Sequence, residues 1–145
     1  MPGGSTNVVP GRCQFTLDMR APNNAQRDAL TADVLQELEK ICERRGLRHT
    51  VELTMSASAA PSDVRWQQRW EKAVDALGVP LYRMPSGAGH DAMKLHEVMP
   101  QAMLFVRGQN AGISHNPLES TTNEDIQLAV QAFGLLLDNL AEEMK

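Results

Sequence analysis

Between positions 12 and 20, RCQFTLDMR, apolar side chains fall on every second residue. Cys13, Phe15, Leu17 and Met19 share one face; Gln14, Thr16 and Asp18 share the other. That period predicts a half-buried strand. APNN then turns the chain. From Ala25 to Arg45 the apolar period lengthens: Leu30, Val34, Leu38 and Ile41 recur, with Leu35 and Cys42 beside them. This is helical spacing, and Gly46 stands where such a helix stops. Alternation returns in LRHTVELTMS (47–56), which groups Val51, Leu53 and Met55. The first sixty residues therefore read strand–helix–strand.

SASAAPSD (56–63) is small and polar and reads as a hinge. Ser62 is placed as the N-cap of a helix running to about Leu77, which GVP ends. PLYRM predicts a short strand, His90 to Glu97 a short helix stopped by Pro100, and QAMLFVRG (101–108) a buried strand. GQNAGISHNPLES is a loop. The final run carries the strongest helix signal. Thr121 or Thr122 caps it, acids fill its first turn, and Ile126, Val130, Phe133, Leu137 and Leu140 form its apolar stripe. The expected class is α/β in two parts, 1–58 and 59–145. A three-element part of that size has too little surface to bury a sound core alone.

Composition narrows the classes. Aromatics make up only 4% of 145 residues, so methionine, alanine and leucine must fill the core. A net charge of −4 with scattered basic residues argues against a nucleic-acid partner. Cys13 and Cys42 stand in no metal-binding spacing; they are expected reduced and buried, in a cytoplasmic setting. No apolar run reaches a membrane span, and MPGGSTNVVPG lacks the pattern of a signal peptide.

Two histidines carry candidate chemistry. His90 follows the small-residue turn PSGAG, where a ligand can approach closely. His115, in GISHNP, sits in a loop just after a predicted strand, where α/β proteins meet ligands. Imidazole is the commonest metal ligand, yet a zinc site needs three or four ligands, and neither H-x-E nor C-x-x-C occurs. Read from residues alone, either histidine can equally be an ordinary surface group. His49 and His96 read as structural, Asp91 as a helix cap, Glu119 as a local partner for a backbone group, and Arg107 as a strand-end charge.

SGAGHDA (86–92), MLFVRG (103–108) and GISHNPLE (112–119) occur in an order and spacing that resemble the carboxyl end of a family of metal-dependent amidohydrolases. These include N-carbamoyl-L-amino-acid hydrolase, allantoate amidohydrolase and β-ureidopropionase, within the aminoacylase and di-zinc peptidase superfamily. TNVVPGRCQFTLDMRAP (6–22) resembles a block of that family's inserted domain. The resemblance implies part of a ferredoxin-like lid or dimerisation domain at 1–58, and the carboxyl-terminal α/β part of a di-zinc hydrolase domain at 59–145. It implies that His115 is a metal ligand and that His90 lies near the transition state. Asn7 and Arg20 would bind the substrate carboxylate, with Gly89 lending backbone contact.

The implied reaction is hydrolysis of a C–N amide bond in an N-carbamoyl or ureido acid such as allantoate. The implied cofactor is a divalent metal (zinc, or manganese, cobalt or nickel), two per complete site, to which this chain supplies one ligand. The family's amino-terminal catalytic half, with its other ligands and general base, is absent from these residues, so the isolated chain is expected to be inactive. The implied partners are a small ureido or carbamoyl acid and a second copy, joined through the lid strand and helix. Two other readings stay open: a non-catalytic dimerisation or interaction fragment, and an aminoacylase or dipeptidase of the same superfamily.

Overall fold

The computed structural model describes Asn7 and residues 9–145. The reading of the first residues as no signal peptide falls largely on positions outside that range. Among these residues there are four α-helices, α1 (Asn24–Arg45), α2 (Val64–Asp75), α3 (Ala92–Leu95) and α4 (Asn123–Glu143), with a 3-10 turn at Asn110–Gly112. Among the described residues there is no strand.

The α/β expectation is therefore corrected. Segments 12–20, 47–56 and 101–107 run without regular secondary structure, and so does PLYRM. The strand–helix–strand lid reduces to a helix between two unpaired segments. The physical reason is local. Alternation specifies an extended backbone and an apolar face, but a strand exists only when a second edge accepts its backbone hydrogen bonds. None of these segments meets such an edge, so Phe15, Leu17, Val51, Leu53 and Met55 are all exposed, Leu53 by 80%.

The helices follow their local signals. Asn23 Oδ1 accepts the Gln26 N–H at 2.9 Å and starts α1. Gly46 ends it at φ 63°, donating its N–H to the carbonyls of Cys42 and Glu43. Such a left-handed cap suits glycine. Asp63, not Ser62, caps α2, accepting the N–H groups of Arg65 and Trp66 at 3.0 and 3.1 Å. Thr122 caps α4 by accepting the Asp125 N–H at 3.0 Å, with Glu124 and Asp125 in the first turn. The acids there meet the positive end of the helix dipole.

The small core lies where α2 packs on α4. Ala73 of α2 is fully buried, and Ala132 and Leu136 of α4 nearly so. Trp70 stacks on Phe133 with ring centroids 6.0 Å apart, and Arg69 reaches Glu143 at 2.5 Å. The expected stripe of α4 is corrected here. Of that stripe Phe133 meets Trp70 and Leu140 is half-buried, but Ile126, Val130 and Leu137 are about half or more exposed, while Ala132 and Leu136 are the buried positions. Helix α4 is apolar around most of its circumference, so periodicity left the covered side ambiguous. Gln101 anchors the segment after α3: its carbonyl accepts the Asp63 N–H at 2.8 Å and its side-chain amide donates to the carbonyls of Ala60 and Pro61. Cys42 is buried as expected, whereas Cys13 is exposed.

Candidate functional site

The extended segments and the helix faces beside them border a wide open space lined by about half of the chain, Arg20, Gly89, His90, Ser114 and Glu119 among them. His115 is outside that lining. Asn7 lies in an exposed turn.

The structure brings Arg20 and the glycine turn together across 67 residues: Arg20 Nη1 donates to the Gly87 carbonyl at 2.5 Å. Three positions on stands His90. Arg20 also forks onto Asp18, with Nε donating to Oδ1 at 2.9 Å and Nη2 to Oδ2 at 2.5 Å. The hydrogen bond and charge of Arg20 hold the Asp18 carboxyl below the usual carboxylate range, and Asp18 raises Arg20 in turn. Sequence reasoning missed Asp18. The signal was present: residues two apart in an extended segment share a face.

His90 does what Asp91 was expected to do. Asp91 makes no capping hydrogen bond at α3, whereas His90 Nδ1 accepts the Ala92 N–H at 3.1 Å. With Nδ1 taken up by this bond, Nε2 is the ring nitrogen left to meet a ligand. Gly89 has no steric need to be glycine in this fold. A Cβ there would only reach Met93 Sδ at 3.9 Å, an ordinary contact.

The loop around His115 is braced from within. Gln109 N–H donates to the Ser120 carbonyl at 2.9 Å, and the Asn110 side-chain amide to the Leu118 carbonyl at 2.7 Å. Three non-glycine residues of the loop, Asn110, Ala111 and His115, hold positive φ. Such residues are strained and collect at functional positions. Glu119 Oε2 accepts the His115 N–H at 2.9 Å, the local backbone partnership its position suggested. His49 and His96 are both exposed.

The described residues contain no cluster of three or more His, Cys, Asp or Glu side chains able to hold a metal ion. His115 can offer one imidazole, but these residues alone do not make a metal site. No described helix is long and apolar enough to cross a membrane.

Comparison with known proteins places the chain among hydrolases. Residues 2–139 match the Peptidase family M20/M25/M40, and the chain belongs to that family. The family is generally metal-dependent. The chain is 35% identical over 130 residues to an N-carbamoyl-L-amino acid amidohydrolase of Geobacillus stearothermophilus, covering 90% of this chain and 31% of that protein. It is 33% identical over 135 residues to an allantoate amidohydrolase of Bacillus subtilis, covering 93% of this chain and 32% of that protein. It is also 33% identical over 135 residues to an allantoate deiminase of Arabidopsis thaliana, covering 86% and 25%. The chain spans about a third of the length of the curated relatives it matches. No solved structure gives a significant match.

Proposed function

We propose that this chain is the carboxyl-terminal part of a cytoplasmic, metal-dependent hydrolase that cleaves the C–N amide bond of N-carbamoyl or ureido acids. The observation that carries the reading is the Arg20–Gly87 hydrogen bond, which brings the Arg20 guanidinium to the turn that carries His90. The relatives named for carbamoyl amino acids and allantoate support the substrate class.

In this reading residues 1–58 belong to a lid or dimerisation part and 59–145 to the catalytic part. Arg20 pairs its guanidinium with the substrate carboxylate, and Asn7 adds an uncharged hydrogen bond. Gly89 lets the substrate approach the turn. His90 donates from Nε2 to the oxygen that gains charge. His115 is the one ligand this chain gives to a divalent-metal site, with zinc, manganese, cobalt or nickel as candidates, two per complete site. Because the remaining ligands are not among these residues, the isolated chain is inactive. A second copy is the partner at the 12–20 segment, whose Phe15 and Leu17 are exposed.

The test is turnover of an N-carbamoyl amino acid by the pure chain, and by the chain mixed with the amino-terminal two thirds of a relative. The expected result is activity only in the mixture, lost with chelator. In that mixture Arg20→Ala should lower kcat/KM about 10- to 150-fold on the acid, the worth of a charged hydrogen bond, and spare its neutral amide. Chelator-sensitive turnover by the chain alone, or equal losses on acid and amide, would overturn the reading.

A further inference from the structure

We propose that Asp18 is the positioning residue of the carboxylate anchor: it grips one edge of the Arg20 guanidinium so that the remaining N–H groups face a ligand carboxylate beside His90. This rests on the reading that Arg20 binds the substrate carboxylate.

The geometry supplies the argument. A guanidinium has five N–H groups in one plane. Asp18 takes two of them, on Nε and Nη2, through both of its oxygens. The Gly87 carbonyl takes a third, on Nη1. One N–H on each terminal nitrogen remains to donate, and a carboxylate has two oxygens to accept them. Three contacts from two separated parts of the chain fix the plane of the fork before any ligand arrives.

Folding gives no reason for the pair. The Arg20 and Asp18 side chains are 58% and 67% exposed, and ion pairs that open to water add little to stability. What the pair can supply is order. An unrestrained arginine loses much rotamer freedom when it binds, and restraining it beforehand recovers that loss as affinity. The opposite sign is physically open. Asp18 is an anion beside an anion-binding group, and a mere competitor would weaken binding. The two roles therefore predict opposite effects for one substitution.

The test uses the chain itself, 15N-labelled, with the Arg20 Nε–H and the Gly87 and His90 amides followed by NMR. It is titrated with N-carbamoyl-L-alanine and, separately, with the neutral amide of that compound. In the unaltered chain the acid should shift these resonances and the amide should not. Asp18→Ala should raise the apparent Kd for the acid about three- to tenfold through lost preorganisation. Asp18→Asn, which keeps one acceptor for the fork, should fall between, and it keeps the comparison available if the alanine variant folds poorly. Binding that is unchanged or tighter in both variants overturns the proposal and makes Asp18 a bystander or competitor. A separate outcome reaches the underlying reading: if acid and amide shift Arg20 alike, or neither does, Arg20 is no carboxylate anchor and the proposal falls with it.

Discussion

Helices α2 and α4 and the extended segments 12–20 and 47–56 are built from similar proportions of apolar residues, yet they end in opposite environments. The helices close their backbone hydrogen bonds within themselves and then need only one another. Helix α2 packs on α4, and Ala73, Ala132 and Leu136 of the pair are all buried. The extended segments cannot satisfy their backbones alone, and their apolar faces stay open, with Leu53 and Met55 about four-fifths exposed. A helix is a local solution and a strand is a collective one. The functional contacts follow the same division. The His115 loop is braced by its own residues, while the His90 turn is tied down by an arginine from the other end of the chain.

The comparison breaks most sharply at Leu136. Truncating it to alanine removes packed methyl groups from the α2–α4 contact and should cost about 2–5 kcal/mol, measured by urea unfolding. A loss under about 0.5 kcal/mol would mean that the helix pair is no more covered than the segments around it.

Gly46→Ala and Thr122→Ala should each cost about 1 kcal/mol by the same measurement. At Gly46 nothing lies within 4 Å of an added Cβ, so the whole cost there is the left-handed backbone at φ 63°. An unchanged midpoint would show that the helix ends are set by packing instead of by their caps.

Phe15→Ser and Leu53→Ser sharpen the other side. Both side chains are already in water, so unfolding free energies should move by no more than about 0.5 kcal/mol. Sedimentation should show weaker self-association of these variants, since exposed apolar faces drive it. A large stability loss would reveal a covered face where the structure has an open one.

The smallest effect is the acid limb of stability. The hydrogen bond from Arg69 holds the Glu143 carboxyl below its ordinary value of 4.5, and Arg83 does the same for Glu71. A carboxyl whose folded pKa is depressed stabilises the fold above its unfolded pKa and loses that contribution as pH falls through the folded one. Thermal midpoints should therefore decline below about pH 4.5, slightly less steeply in Glu143→Gln. A decline unaltered by that change would leave the Arg69–Glu143 pair with no part in stability.

The helices were legible residue by residue where the signal was local. Gly46 marks the end of α1 as read, and Thr122, one of two candidates, caps α4. The sequence reading places the cap of α2 at Ser62; the first turn begins one residue later and Asp63 takes the role. At His90 the local reading gave the cap to Asp91, but it is the His90 ring nitrogen that accepts the Ala92 N–H. Arg20, Gly89 and His90 were each named from the sequence; that Arg20 bonds to the turn carrying the other two was not visible there.

The sequence by itself determined what depends on neighbours a few positions away: helix limits, capping chemistry, the glycine turn before His90, and membership in a hydrolase family through its motifs. Tertiary structure decided what depends on distant partners. It decided which face of α4 is covered, because that helix is apolar on several sides. It decided that alternating segments carry no sheet, because pairing needs an edge that alternation cannot supply. It decided that Arg20 reaches Gly87, because a contact across 67 residues depends on the path of all the chain between them.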